Sequence, residues 1–69
     1  MILEIFRTNV SSTKQANIVL KSLQLALSDC IINFDLEDVD KILRIEANRD
    51  VAYQVVRLVT AKGFLCERL

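Results

Sequence analysis

Two cysteines are the first candidates for chemistry in this chain of 69 residues, because thiolates bind soft metal ions and form disulfides. Cys30 shares the alternation of Ile32 and Phe34, a pattern typical of side chains that point into the core from a strand. A free cysteine in such a place behaves as a small apolar residue. We therefore predict that Cys30 is a core residue, and we interpret Cys66 in the same way.

The other reactive groups do not form a catalytic set. The chain has no histidine, and its one glycine cannot build a phosphate-binding loop. Four carboxylates cluster in one short stretch: Asp35, Glu37, Asp38 and Asp40. Their spacing is not that of a calcium loop and no glycine permits its sharp turn, so we interpret the stretch as a solvated hairpin. Because no nucleophile, base and orienting group come together, we predict that the protein is not an enzyme.

Hydrophobic periodicity predicts the elements that position these groups. Strands are expected near residues 2–6, 31–36, 41–46 and 64–68, where β-branched, aromatic or alternating residues occur. The first helix is predicted to begin after Ser12, which forms a capping box with Gln15. The second helix has Asn48 and Asp50 as candidate N-caps and is predicted to end before Gly63.

The element order predicts the fold. A β-α-β-β-α-β chain is typical of an α+β, ferredoxin-like βαββαβ sandwich, in which two helices cover one face of a four-stranded antiparallel sheet. We expect residues 1–69 to form a single domain. In this fold the second and fourth strands are opposite edges of the sheet. Cys30 and Cys66 should then lie too far apart for a disulfide or a shared metal ion.

Several of these residues resemble those of heavy-metal-associated domains, the copper-chaperone-like modules that also occur at the N-termini of metal-pumping ATPases. The stretch RTNVSS over residues 7–12 is similar to their Met-Thr-Cys-x-x-Cys loop. Lys62, Gly63 and Phe64 stand at the family's lysine-or-tyrosine loop before the last strand. The diagnostic thiols are absent, because Asn9 occupies the first cysteine position and Ser12 the second.

The resemblance implies a metal site in this loop, but the two replacements argue against one. The family holds monovalent copper or zinc between two thiolates, whereas a carboxamide and a hydroxyl are hard, neutral ligands. We expect Asn9 and Ser12 to form the loop and cap the helix, Phe64 to pack over the loop, and no cofactor to be bound. The predicted function is a non-catalytic binding module that acts through protein contacts. The alternative is a chaperone-like protein that handles copper or zinc through a weak or partner-completed site.

An apolar patch is expected on the sheet face that the helices leave open. If Leu3 and Ile5 face the helices, the alternate side chains point outward, and this outward set is Ile2, Phe6, Ile31 and Ile42, with Leu65 as a further candidate. Exposed apolar patches tend to be association surfaces, so we expect a protein partner or a weak homodimer there. A slip of one residue would exchange the two faces of a strand, which is the alternative.

Charge and hydropathy restrict the remaining partners. Nine basic and nine acidic residues cancel, and no stretch is basic enough to follow a phosphate backbone, so no nucleic acid is expected. No apolar run approaches the ~20 residues that span a bilayer, so no membrane association is expected. The N-terminus lacks the basic segment and long apolar core of a signal peptide, which predicts a cytoplasmic protein with reduced thiols. An exported protein made without its signal is the alternative.

Overall fold

The computed structural model describes residues 1–69, and its elements follow the predicted order. Strand β1 covers Ile2–Thr8, helix α1 Thr13–Ala26, strand β2 Ile31–Asp35, strand β3 Ile42–Ala47, helix α2 Ala52–Ala61 and strand β4 Cys66–Arg68. The sheet order is β2-β3-β1-β4, and every pairing is antiparallel. The predicted ferredoxin-like fold is therefore confirmed, although β4 has only three residues.

The helix ends follow from local side-chain chemistry. Ser12 has extended φ and ψ angles of −139° and 158°, and its hydroxyl accepts a hydrogen bond from the amide of Gln15, as predicted for an N-cap. At α2 the N-cap position is occupied by Val51, which makes no side-chain cap, so the prediction of Asn48 or Asp50 as N-cap is wrong. Asp50, one residue earlier, still accepts a hydrogen bond from the amide of Ala52 at 3.0 Å. Gly63 follows the last turn of α2 with φ +90°, the left-handed region that glycine enters without strain.

The core lies between the helices and one face of the sheet. Among its fully buried members are Leu43 and Ile45 on β3, Leu23 on α1, and Val55 and Val59 on α2. Burying such a side chain contributes about 1.5–3 kcal/mol, which is what this short chain depends on for stability. Cys66 belongs to the same cluster and Cys30 packs against it. Cys30 lies just before β2, so the sheet order places the two thiols at opposite edges, as expected.

Strand β1 has its two faces exchanged relative to the prediction. Phe6 is fully buried under the helices, opposite Leu43 of β3, and is not part of the open face. Ile2 is on the same side as Phe6 by alternation, opposite the buried Ala47. The prediction that Ile2 and Phe6 point outward is therefore wrong.

The reason lies in two charged residues, Glu4 and Arg7, which point to opposite faces of β1. The strand is apolar on both faces, so only Glu4 and Arg7 distinguish them, and the prediction placed Glu4 in solvent. In the structure Arg7 is exposed, whereas Glu4 is on the helix side and only 4% exposed. Arg68 makes this possible because its guanidinium contacts the Glu4 carboxylate at 2.9 Å. A sequence window around β1 contains no sign of this distant partner.

Strands β2 and β3 have the predicted faces. Ile32 and Phe34 pack toward the core, and Ile31 points to the open face with 56% of its surface exposed. Ile42 also belongs to the open side, since it is out of phase with Leu43, but it is only 6% exposed and offers little surface. The open face therefore differs in membership from the predicted patch.

Candidate functional site

The loop between β1 and α1 contains Asn9 and Ser12, the two positions that correspond to cysteines in heavy-metal-associated domains. It leaves the sheet at Thr8, whose hydroxyl donates to the carbonyl of Lys41 at 2.6 Å and accepts from the amide of Val10 at 3.2 Å. Val10 is fully buried in the core. Both anchors hold the loop tightly against the end of the sheet.

Asn9 connects this loop to the start of the last strand. Its carboxamide oxygen accepts a hydrogen bond from the amide of Leu65 at 2.8 Å, across 56 residues of sequence. The neighbouring residue, Phe64, is partly buried and packs against the core cluster. The carboxamide thus closes the gap between two chain segments.

Ser12 and its neighbours complete the loop with helix-capping bonds. The Ser12 hydroxyl accepts from the amide of Gln15 at 3.1 Å. The second half of the predicted capping box differs in detail, because the Gln15 side-chain oxygen accepts from the amide and the hydroxyl of Ser11 at 2.9 and 3.1 Å. The oxygens of both Asn9 and Ser12 therefore already accept hydrogen bonds within the protein.

The thiols do not supply this loop with a ready ligand. Cys66 is the nearer one in the fold, since it pairs with Thr8 across the β1–β4 ladder, but it is only 7% exposed. Burial raises the pKa of the Cys66 thiol to about 11, so it stays protonated at neutral pH. Cys30 lies just before the opposite edge strand, and burial together with the Asp29 carboxylate raises the pKa of its thiol as well.

The acidic hairpin uses its carboxylates to form its own turn. Asp35 accepts from the amides of Glu37 and Asp38, and Asp38 accepts from the amide of Asp40. No group of three or more histidine, cysteine or acidic side chains converges anywhere in the molecule. Neither of the two surface depressions, about 530 and 190 Å³, is lined by Asn9 or Ser12.

The open sheet face is the other candidate site. Its apolar side chains form what we call the open-face patch, and its members are Leu3, Ile5, Ile31, Leu65 and Leu69. Four of them are 43–68% exposed. Of these five, only Ile31 and Leu65 were predicted to point outward. The signal that was missed is the phase of Arg7, which shares its side of β1 with Leu3 and Ile5.

The charges on this face are largely paired. Arg7 forms an ion pair with Glu67 of β4, and Arg44 of β3 lies 3.8 Å from Asp35 of β2. Such exposed pairs contribute only about 0–1 kcal/mol each to stability. The pairs leave little unpaired charge beside the apolar side chains of this face.

Comparisons with known proteins establish the fold. No known family profile matches the sequence, and no curated protein matches it. Among solved structures, a gold-binding protein superposes with a TM-score of 0.82 at 15% identity, over 96% of this chain and 98% of the other. The copper chaperone Atx1 from Synechocystis PCC6803, in a trimeric form, superposes with a TM-score of 0.75 at 18% identity, over 97% and 100% of the two chains. The chain shares their fold.

Neither α1 nor α2 has the length and apolar character that a membrane-spanning helix requires.

Proposed function

We propose that the protein is a small non-catalytic binding module that resembles a heavy-metal-associated domain, has lost the thiolate metal site, and acts through protein contacts. The observation that carries the proposal is the hydrogen bonding of the loop. The oxygens of Asn9 and Ser12, at the two cysteine positions of the resemblance, accept from the amides of Leu65 and Gln15. Withdrawing either oxygen for a soft ion would leave a backbone amide without its partner, in exchange for a poor ligand.

The test is titration with monovalent copper under reducing conditions against a competing chelator. Wild type should take up no stoichiometric ion, whereas the double variant Asn9→Cys, Ser12→Cys should bind one between two thiolates. The matched control is Asn9→Ala, Ser12→Ala, which loses the same hydrogen bonds and adds no thiol. Stoichiometric uptake by wild type would overturn the proposal.

The contact surface that we propose is the open-face patch. Leu3 and Leu65 are 55% and 43% exposed, and the neighbouring charges are paired. A partner would gain about 25 cal/mol for each Å² of apolar surface removed from water, against several kcal/mol of lost freedom. Contacts through a patch of this size should therefore be weak, whether they join a partner protein or a second copy.

The second candidate function is metal handling with a weak or partner-completed site. It is supported by the shared fold, since one of the two superposed proteins is a gold-binding protein and the other a copper chaperone. The two candidates differ in one measurement. Addition of monovalent copper or zinc should leave the amide spectra of residues 8–14 unchanged if the site is lost. Saturable shifts confined to those residues, with both thiols reduced, would favour metal handling.

A further inference from the structure

Strand β2 is a free edge of the sheet. It is the outermost strand at one end of the order β2-β3-β1-β4, and its five residues pair with β3 in an unbroken register from Ile31 to Asp35. No hydrogen bond from a loop or a side chain reaches the backbone of residues 31–35. The amides and carbonyls that point away from β3 are therefore available to another strand.

The opposite edge is protected, and β2 is not. Strand β4 has three residues, two of which are the charged Glu67 and Arg68. Edge strands that resist pairing carry lysine, proline or a bulge, and β2 has none of these. Its one charge, Asp35, is at the end of the strand and faces Arg44 at 3.8 Å. The two edges thus differ in their capacity to accept a further strand.

The sequence of β2 is complementary to itself. When the strand is laid antiparallel on its own copy about Asn33, Ile32 of each copy is opposite Phe34 of the other. Both side chains pack on the core side and are only partly buried in the isolated chain. Cross-strand pairs of a β-branched and an aromatic residue stabilise antiparallel sheets, and this pair occurs twice by symmetry. The outer residues, Ile31 and Asp35, meet on the solvent side.

We propose that β2 is a pairing edge for a second copy of this chain, which joins two four-stranded sheets into one of eight strands about a two-fold axis at Asn33. A second copy presents the Ile32 and Phe34 complement in the required order, and a chain of zero net charge has no long-range repulsion from itself. The inference goes beyond the proposed function, because it concerns the edge of the sheet. It would also place the open-face patches of two copies side by side on one surface.

The dimer should be weak. A five-residue edge buries much less than the roughly 800 Å² per partner of a standard interface. We expect a dissociation constant on the order of 0.1–1 mM. Sedimentation equilibrium and NMR dilution series cover this range.

A charge-exchange experiment at Asn33 tests the two-fold axis. This residue is exposed and lies opposite Arg44 of β3. Asn33→Asp and Asn33→Lys should each weaken self-association about fivefold, because like charges would be directly opposite across the axis. An equimolar mixture of the two variants should associate more tightly than either variant alone. Unchanged association of the variants, or no gain on mixing, would overturn the proposal.

Two further measurements complete the test of edge pairing. The control Tyr53→Ser removes an exposed ring from α2, outside both the open-face patch and β2, and should leave self-association unchanged. In a mixture of isotope-labelled and unlabelled protein, contacts between Ile32 of one copy and Phe34 of the other should appear, which stacked open faces do not allow. Loss of association in Tyr53→Ser, or absence of those contacts in a populated dimer, would overturn the proposal. A wild type that stays monomeric at millimolar concentration would also overturn it, and would leave the edge to a strand of another protein.

Discussion

The loop after β1 and the open face of the sheet differ in what they leave available to a partner. The polar side chains of the loop are already hydrogen-bonded, whereas the apolar side chains of the open face are exposed. In the loop, Thr8, Asn9 and Ser12 each use the side-chain oxygen in a hydrogen bond to the backbone. On the open face, Leu3 and Leu65 keep about half of their surface in water. Free groups are the ones that a partner can use at low cost, because no internal contact has to be broken first. A partner can therefore bind the open face of the sheet at lower cost than the loop.

The other face of the sheet is covered by the helices. Substitutions on the two faces of β1 should have very different effects on the free energy of unfolding. Phe6→Lys should lower the free energy of unfolding by more than about 4 kcal/mol, because it removes a buried aromatic ring and buries a charge. For a domain of this size that loss is enough to unfold the protein. Urea denaturation followed by circular dichroism would measure it.

Leu3→Lys is the matched control on the open face. Leu3 is 55% exposed and lies opposite Glu46, so the new charge stays in water beside an acid. Leu3→Lys should change the free energy of unfolding by no more than about 0.5 kcal/mol. Similar losses for the two variants would contradict the assignment of faces on β1.

The loop is expected to respond on a smaller scale. Ser12→Ala removes the N-cap of α1 and should lower the free energy of unfolding by about 1 kcal/mol.

Asn9→Ala should lower the free energy of unfolding by about 0.5–1.5 kcal/mol, the range for one hydrogen bond, and should speed hydrogen exchange at the amide of Leu65. The matched control is Gln24→Ala on the exposed side of α1, with an expected change within about 0.5 kcal/mol. If Leu65 exchanges at the same rate in Asn9→Ala, the bond does not hold the loop.

A further effect concerns the buried thiol beside the loop and appears only at alkaline pH. Since burial raises the pKa of Cys66 from the ordinary 9.0 to about 11, the folded state disfavours the thiolate. Its contribution to stability is complete below pH 9 and should be lost as the pH rises from about 9 to about 11. Over this pH range, the free energy of unfolding should fall more steeply for wild type than for Cys66→Ala. Equal slopes would show that the thiol is not desolvated.

Local sequence determined much of this protein. The periodicities predicted all six elements, Ser12 and Gly63 marked helix ends, and the absence of thiols from the loop was visible at once. These features depend on residues within a few positions of each other, where propensity, capping and alternation act directly. The same local information placed Ile32, Phe34, Leu43 and Ile45 on the core side correctly.

Only the tertiary structure decided which face of β1 is buried and where the Asn9 carboxamide binds. Strand β1 is apolar on both sides, and its alternation cannot rank two similar faces. The choice depends on Arg68, 64 positions away from Glu4, whose guanidinium allows the carboxylate to be buried. The bond from Leu65 to Asn9 likewise depends on the sheet order that places β4 beside β1. Both outcomes rest on contacts between distant residues, whose free energy appears only when the strands are assembled.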